Sequence, residues 1–184
     1  MTDLINNIGF SQIYMSVILV FAGIIDSKKQ KIPNYLTFPT VITAFVYHFY
    51  LTGIDGLFFS ISGMFTGIAL LIIPYMMGGM GAGDVKLLGA IGAFIGYKSV
   101  FFVFLFTALF GGLYAILALV WYEKSLIKFL KKAFHTVLSV VLIKKYDPEP
   151  ENQLKNKPRL CYGIAIALGG FLYMGLTMCG YKLS

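Results

Sequence analysis

Long apolar runs dominate the chain, and short polar or glycine-rich segments separate them. A helix that crosses a membrane needs about 20 mostly apolar residues, and the runs recur often enough to predict six spans. They cover approximately residues 8–25, 35–51, 57–77, 84–96, 100–122 and 160–180, the fourth being short for a full crossing. The pattern therefore predicts an all-α polytopic membrane protein with a single domain over residues 1–184.

Residues 123–159 follow a different pattern from the rest of the chain. Up to about residue 145, lysines alternate with large apolar residues, which is typical of an amphipathic helix lying on a membrane surface. Residues 146–158 are polar and contain three prolines, which predicts a polar loop. The whole segment is expected to be a cytoplasmic loop that carries a surface helix.

Composition supports the membrane assignment. The chain is 58% hydrophobic and only 12% charged, whereas a soluble domain has roughly 25% charged residues. A chain this apolar could not keep a wetted surface in water, which excludes an ordinary soluble domain.

The placement of the positive charges predicts an orientation. Of the 15 Lys and Arg residues, 13 fall in the segments 27–35, 76–86 and 122–159. Because cytoplasmic loops are enriched in Lys and Arg, these segments are expected inside and both termini outside. The charges border apolar spans, so we expect contact with the lipid bilayer and no nucleic acid as a partner.

Two aspartates lie where an apolar chain should not tolerate them. Asp26 follows the first predicted span and Asp84 begins the fourth, so the predicted topology brings both to the inner face. A carboxylate at the edge of the hydrocarbon is costly and is by default a candidate functional residue. Two close, partly desolvated carboxylates discourage each other's ionisation, so that one can act as acid and the other as base. This chemistry suits hydrolysis of a peptide bond by water, with the two roles left open.

The glycines around Asp84 fit the same reading. Gly81 and Gly83 allow backbone angles that side chains forbid and permit close approach of an extended chain, which a peptide substrate would need. The alternative is that Gly79 and Gly83 form a small-residue packing face. His48, near the predicted outer end of the second span, is interpreted as structural or solvated.

Three blocks of sequence resemble the type IV prepilin peptidases. Residues 81–87 resemble the GxGD motif of that family, and residues 26–37 resemble its first aspartate block, in which a proline follows the aspartate by seven positions. Residues 162–165 are similar to the family's P-Y-G-x-A block, with Cys161 standing where the proline is usual. The blocks occur in the expected order, and the resemblance covers most of the chain.

The resemblance implies an aspartic endopeptidase in the cytoplasmic membrane, with Asp26 and Asp84 as its catalytic pair and no metal or cofactor. Its substrate would be a prepilin or pseudopilin that loses a short basic leader at the cytoplasmic face. The small size is similar to that of the peptidases of tight-adherence (Flp) pilus systems or of the archaeal preflagellin peptidases. The methyltransferase segment of larger members is absent from this sequence, so N-methylation is not expected. The oligomeric state is left open.

The same blocks supply candidates for a motif or substrate loop beside the catalytic pair. They are Gly81, Gly83, Lys86, Pro33 and Asn34. A lysine at Lys86 is more often an interface residue with its amine in the headgroup region than a substrate contact.

Three alternatives stay open at the level of sequence. A small transporter could use the same carboxylates to bind a cation or relay protons. A catalytically silent assembly protein is a second. A presenilin-like GxGD protease is a third, but it would place its first aspartate deep within a span, whereas Asp26 lies at a span end beside basic residues.

Overall fold

The computed structural model describes residues 2–29, 31–76, 80–123 and 162–181, and its regular elements are all helices. They are α1 (Thr2–Lys29), α2 (Asn34–Thr52), α3 (Ile54–Met76), α4 (Ala82–Glu123) and α5 (Tyr162–Met178). The prediction of an all-α fold is confirmed for this part of the chain. The first three helices match the first three predicted spans, although α1 is longer at both ends than expected.

Three of the described helices are long and apolar enough to cross a membrane. The qualifying stretches are Ser11–Lys28, Ile54–Met76 and Ala82–Tyr114. Helix α5 is apolar but has 17 residues, and α2 contains several polar residues along its 19 positions. The chain is therefore a membrane protein, while the count of six spans stays a prediction.

Helix α4 is broken at Gly96, where the sequence predicted the end of one span. The break has φ 81° and ψ 172° at this residue, a backbone conformation that favours glycine because it has no Cβ. The ring of Phe59 fills the place that a Cβ at Gly96 would occupy. The fourth and fifth predicted spans are thus two segments of one interrupted helix.

Two polar side chains bind backbone carbonyl groups just before the break. Ser60 donates its hydroxyl to the carbonyl of Ala93 at 2.8 Å, and His48 Nε2 lies 3.0 Å from the carbonyl oxygen of Phe94. Because a carbonyl can only accept, His48 carries its hydrogen on Nε2. His48 therefore stabilises the fold at this point.

Helices α3 and α4 approach each other closely through small residues. A Cβ at Gly63 would collide with the backbone of Gly92, and one at Gly67 would lie 2.5 Å from the carbonyl oxygen of Leu88. Small residues let membrane helices pack backbone to backbone. As a result, nearly all of α4 before its break is buried, and this segment forms the centre of the core.

The chain divides into two compact units. The first comprises Met1–Gly111 and Leu160–Ser184, and the second comprises Gly112–Arg159. The described residues of the second unit are the end of α4, up to Glu123. Beyond Glu123, the predicted surface helix and the polar loop over 146–158 lie outside the described residues.

Candidate active site

Asp26 lies in the last turn of α1 and is 3% exposed. The sequence placed it just after the first span, but α1 continues to Lys29, so the carboxylate is carried by the helix itself. Its Oδ2 accepts a hydrogen bond from the backbone N–H of Gly163 at 2.8 Å, and the amide of Ile164 is a second backbone donor. Both donors belong to the first turn of α5.

Asp84 lies in the first turn of α4 and is 7% exposed. Its Oδ2 accepts the backbone N–H of Gly81 at 3.0 Å, and its own N–H donates to the carbonyl of Gly81 at 3.1 Å. A side-chain oxygen that binds an N–H near a helix start satisfies a donor that the helix leaves unpaired. The residue just before α4, Gly81, therefore holds the side chain of Asp84.

The two carboxylates lie within electrostatic range of each other. Asp26 lies close enough to Asp84 for the two charges to interact, and Tyr162 is within reach of the charge on Asp84. Both carboxylates are withdrawn from water, and each is bound by backbone N–H groups. The site therefore holds two buried carboxylates whose charges interact.

The surroundings of Gly81 and Gly83 differ. Neither has a positive φ, so no forbidden backbone angle explains either glycine. At Gly83, a Cβ would lie 2.9 to 3.0 Å from the backbone of Ile32, so the close approach is to this chain's own loop before α2. Gly81 is exposed, and a Cβ there would meet Asp84 Oδ2 at an ordinary 3.4 Å.

Lys86, Asn34 and Pro33 lie on the side of the site where α2 begins. Lys86 Nζ donates to Asn34 Oδ1 at 2.9 Å and lies 5.8 Å from the centre of the Phe38 ring, a cation–π distance. Pro33 precedes the first residue of α2 and accepts the N–H of Leu36 at 3.1 Å. These residues connect the start of α4 to the start of α2.

Sequence reasoning missed the partners of both aspartate segments. Ile32, which packs against Gly83, and Gly163, which donates to Asp26, were not proposed as site residues. The block at 162–165 drew attention to the start of α5 but gave no reason for its chemistry. Ile32 carries no signal of its own, because a buried isoleucine beside a proline is ordinary.

Metal ligands do not converge in the part of the chain that the structure describes. Within residues 2–29, 31–76, 80–123 and 162–181, no three His, Cys, Asp or Glu side chains form a group that could hold a metal ion.

The chain is an all-α membrane protein with two buried carboxylates. Comparison with protein families identifies the class of protein to which it belongs. A model of the type IV leader peptidase family matches residues 13–116, which is more than half of the 184 residues. The chain belongs to the type IV leader peptidase family. Comparisons with curated proteins and with solved structures gave no match.

Membership of this family establishes the general activity. The protein is a peptidase, hence a hydrolase, and prepilins are the substrates of its family. The matched residues include both Asp26 and Asp84, whereas α5 lies beyond the match. Membership also favours a peptidase over the transporter and over the silent assembly protein.

Proposed function

We propose that the protein is an aspartic endopeptidase that removes the leader from type IV prepilins or pseudopilins, with Asp26 and Asp84 as its catalytic pair. The observation that carries the proposal is the burial of two interacting carboxylates in a chain of the leader peptidase family. Burying carboxylates is costly, and pairs of them recur where a proton must be moved during catalysis.

The pair can supply both protons that hydrolysis requires. The ionised carboxylate takes a proton from water while the water oxygen attacks the scissile carbonyl carbon, and the protonated carboxyl group gives its proton to the carbonyl oxygen. Collapse of the tetrahedral intermediate then breaks the carbon–nitrogen bond. The carboxyl group that took a proton from water gives it to the departing amine, and a hydroxyl of the intermediate returns its proton to the other carboxylate. The assignment of acid and base between Asp26 and Asp84 is left open.

We further propose that cleavage takes place at the cytoplasmic face of the cell membrane. Asp26 is followed within three residues by Lys28 and Lys29, and Lys86 follows Asp84 by two. Lysines of this kind mark the cytoplasmic ends of spans. A prepilin would present its apolar helix to the helices of the enzyme and its basic leader to the interface.

Replacement of each aspartate by asparagine tests the proposal. Asp26→Asn and Asp84→Asn keep the shape of the side chain but cannot exchange a proton, so we expect cleavage to fall at least about a thousandfold. Leader removal from a panel of co-expressed Flp-type prepilins would be followed by mass spectrometry, with melting temperature in detergent as the measure of folding.

Asp55→Asn is the matched control, because Asp55 is an exposed acid in the first turn of α3. It should cleave like the parent. If either Asp26→Asn or Asp84→Asn processes a prepilin at the parent's rate, the catalytic pair is wrongly assigned.

A further inference from the structure

We propose that the first turn of α5 is the positioning element for Asp26, and that Gly163 is the residue that allows it. The inference rests on the proposed function only in taking Asp26 as catalytic. The contact itself joins residues that are 137 positions apart in the chain.

Asp26 needs a donor from another element. It lies in the last turn of α1, where the backbone N–H groups are already bound to carbonyls one turn earlier. The negative end of the helix also disfavours a carboxylate there. The first turn of any helix has unpaired N–H groups and the positive end of the dipole. The start of α5 supplies both to Asp26, through the amides of Gly163 and Ile164.

Only glycine fits at position 163. A Cβ on Gly163 would lie 2.8 Å from Cβ, from Cγ and from Oδ2 of Asp26, closer than non-bonded carbon atoms normally approach. Because one of these three atoms is attached directly to the backbone of α1, rotation of the carboxylate alone could not make room. A methyl group here would therefore move the end of α1 or the start of α5.

Further contacts along the two helices fix the register that brings Gly163 to Asp26. A Cβ at Gly23 would touch the Cβ of Ala167 at 3.7 Å, and a Cβ at Gly170 would lie 2.7 Å from Leu19 Cδ1. The paired positions run from Asp26 to Leu19 along α1 and from Gly163 to Gly170 along α5, with about one turn between successive pairs. Such a seam of small residues lets helices pack closely in one register. The Gly163 amide is held at Asp26 by this seam as well as by its own hydrogen bond.

The two aspartates are accordingly held in different ways. Asp84 is bound by Gly81, three residues away in its own loop, whereas Asp26 depends on a remote helix. Disturbing α5 should therefore misplace one carboxylate relative to the other, and a displacement of about 1 Å can lower a rate by about a hundredfold.

The test compares Gly163→Ala with Gly175→Ala in the full-length protein, using a prepilin from the panel that the parent cleaves. Gly175 lies in the same helix, and a Cβ there meets nothing within 4 Å. For Gly163→Ala we expect kcat to fall at least about tenfold. We also expect KM to change little and the pH profile of kcat to move. Gly175→Ala should match the parent in all three. A parent-like kcat and pH profile per folded molecule in Gly163→Ala would overturn the proposal.

A second measurement decides the matter if Gly163→Ala folds poorly. Asp26→Gly removes all three atoms that the new methyl group would meet. The melting temperature lost through Gly163→Ala should therefore be smaller in the Asp26→Gly background than in the parent. An equal loss in the two backgrounds would show that the methyl group acts elsewhere and would overturn the proposal.

Failure of this inference can be told apart from failure of the proposed function. Cleavage by Asp26→Asn at the parent's rate would remove Asp26 from catalysis and the positioning role with it. An inactive Asp26→Asn beside a parent-like Gly163→Ala would remove the positioning role alone.

Discussion

Two groups of residues bury polar atoms in this apolar chain: the kink cluster (Ser60, His48 and Gly96) and the aspartate site (Asp26 and Asp84). Their hydrogen bonds run in opposite directions. In the kink cluster, the side chains of Ser60 and His48 bind the backbone carbonyls near the break at Gly96. In the aspartate site, backbone N–H groups donate to the carboxylates of Asp26 and Asp84. The kink cluster pairs backbone carbonyl groups, whereas the aspartate site pairs two side chains that can carry charge.

The difference shows how a structural polar group is told from a functional one in a membrane protein. A helix break exposes carbonyls that cost free energy if left unpaired, so Ser60 and His48 are explained by the fold. Asp84 reaches back to the N–H of Gly81 at the start of α4, a bond that a neutral Gln can make from the same position of a helix. Pairing those backbone groups does not require two buried carboxylates, and the proposed function explains the pair by proton transfer.

Gly96→Ala should have the largest effect on stability, with little effect on cleavage. The new side chain would require a positive φ and would collide with the Phe59 ring, so we expect a loss of about 3 kcal/mol. Unfolding in detergent would measure it. The fraction that remains folded should still cleave a prepilin at close to the parent's rate per molecule.

Gly112→Ala is the control for Gly96→Ala, since its Cβ would meet nothing within 4 Å. It should be neutral or slightly stabilising, as alanine favours a helix over glycine. If Gly96→Ala is as stable as Gly112→Ala, the break at Gly96 is not required by the fold.

Gly83→Ala should affect the aspartate site next most strongly. A methyl group would press on the backbone of Ile32 and so move the start of α4 with Asp84, one residue further on. We expect kcat to fall by about tenfold to a hundredfold. Gly81→Ala should lose less, because its Cβ would make only an ordinary contact. Equal losses in the two variants, measured by leader removal, would refute the explanation from packing.

Ser60→Ala should have a smaller effect, confined to stability. It would remove the hydroxyl that binds the carbonyl of Ala93 in the core, and we expect a cost of about 1 kcal/mol. Ser62→Ala is the matched control, since Ser62 is exposed on the same helix and binds a local carbonyl. A loss of kcat in Ser60→Ala without a loss of stability would mean that Ser60 acts in catalysis and not in the fold.

The sequence predicted the features that local patterns determine. Runs of apolar residues gave α1, α2 and α3 within a few residues at most ends, and the fourth predicted span ended at Gly96, where α4 breaks. The end of α1 was missed because charged residues at 28 and 29 look like a loop, although a helix can extend past the hydrocarbon with its lysines in the headgroup region.

The candidate site could be predicted only as far as its chemistry is local. Asp26 and Asp84 stand out because charge is costly in an apolar chain, and the predicted topology brought them to one face. The donor to Asp26 could not be predicted, since nothing in the sequence records which N–H groups of a distant helix meet it. The contact between Gly83 and Ile32 could not be predicted either, because tertiary packing brings these two residues together.

The smallest effect should come from the contact between Lys86 and Asn34, and it decides what Lys86 does. Both side chains are exposed, and exposed polar contacts contribute at most about 1 kcal/mol. If Lys86 only connects α4 to α2, Lys86→Met and Asn34→Ala should each lower kcat/KM roughly two- to fivefold. The double variant should then be no worse than either single one, because both remove the same hydrogen bond. A rise in the KM for a prepilin in Lys86→Met, with Asn34→Ala unaffected, would instead make Lys86 a substrate contact. The lysine would then belong with the aspartates among the groups that the fold alone does not explain.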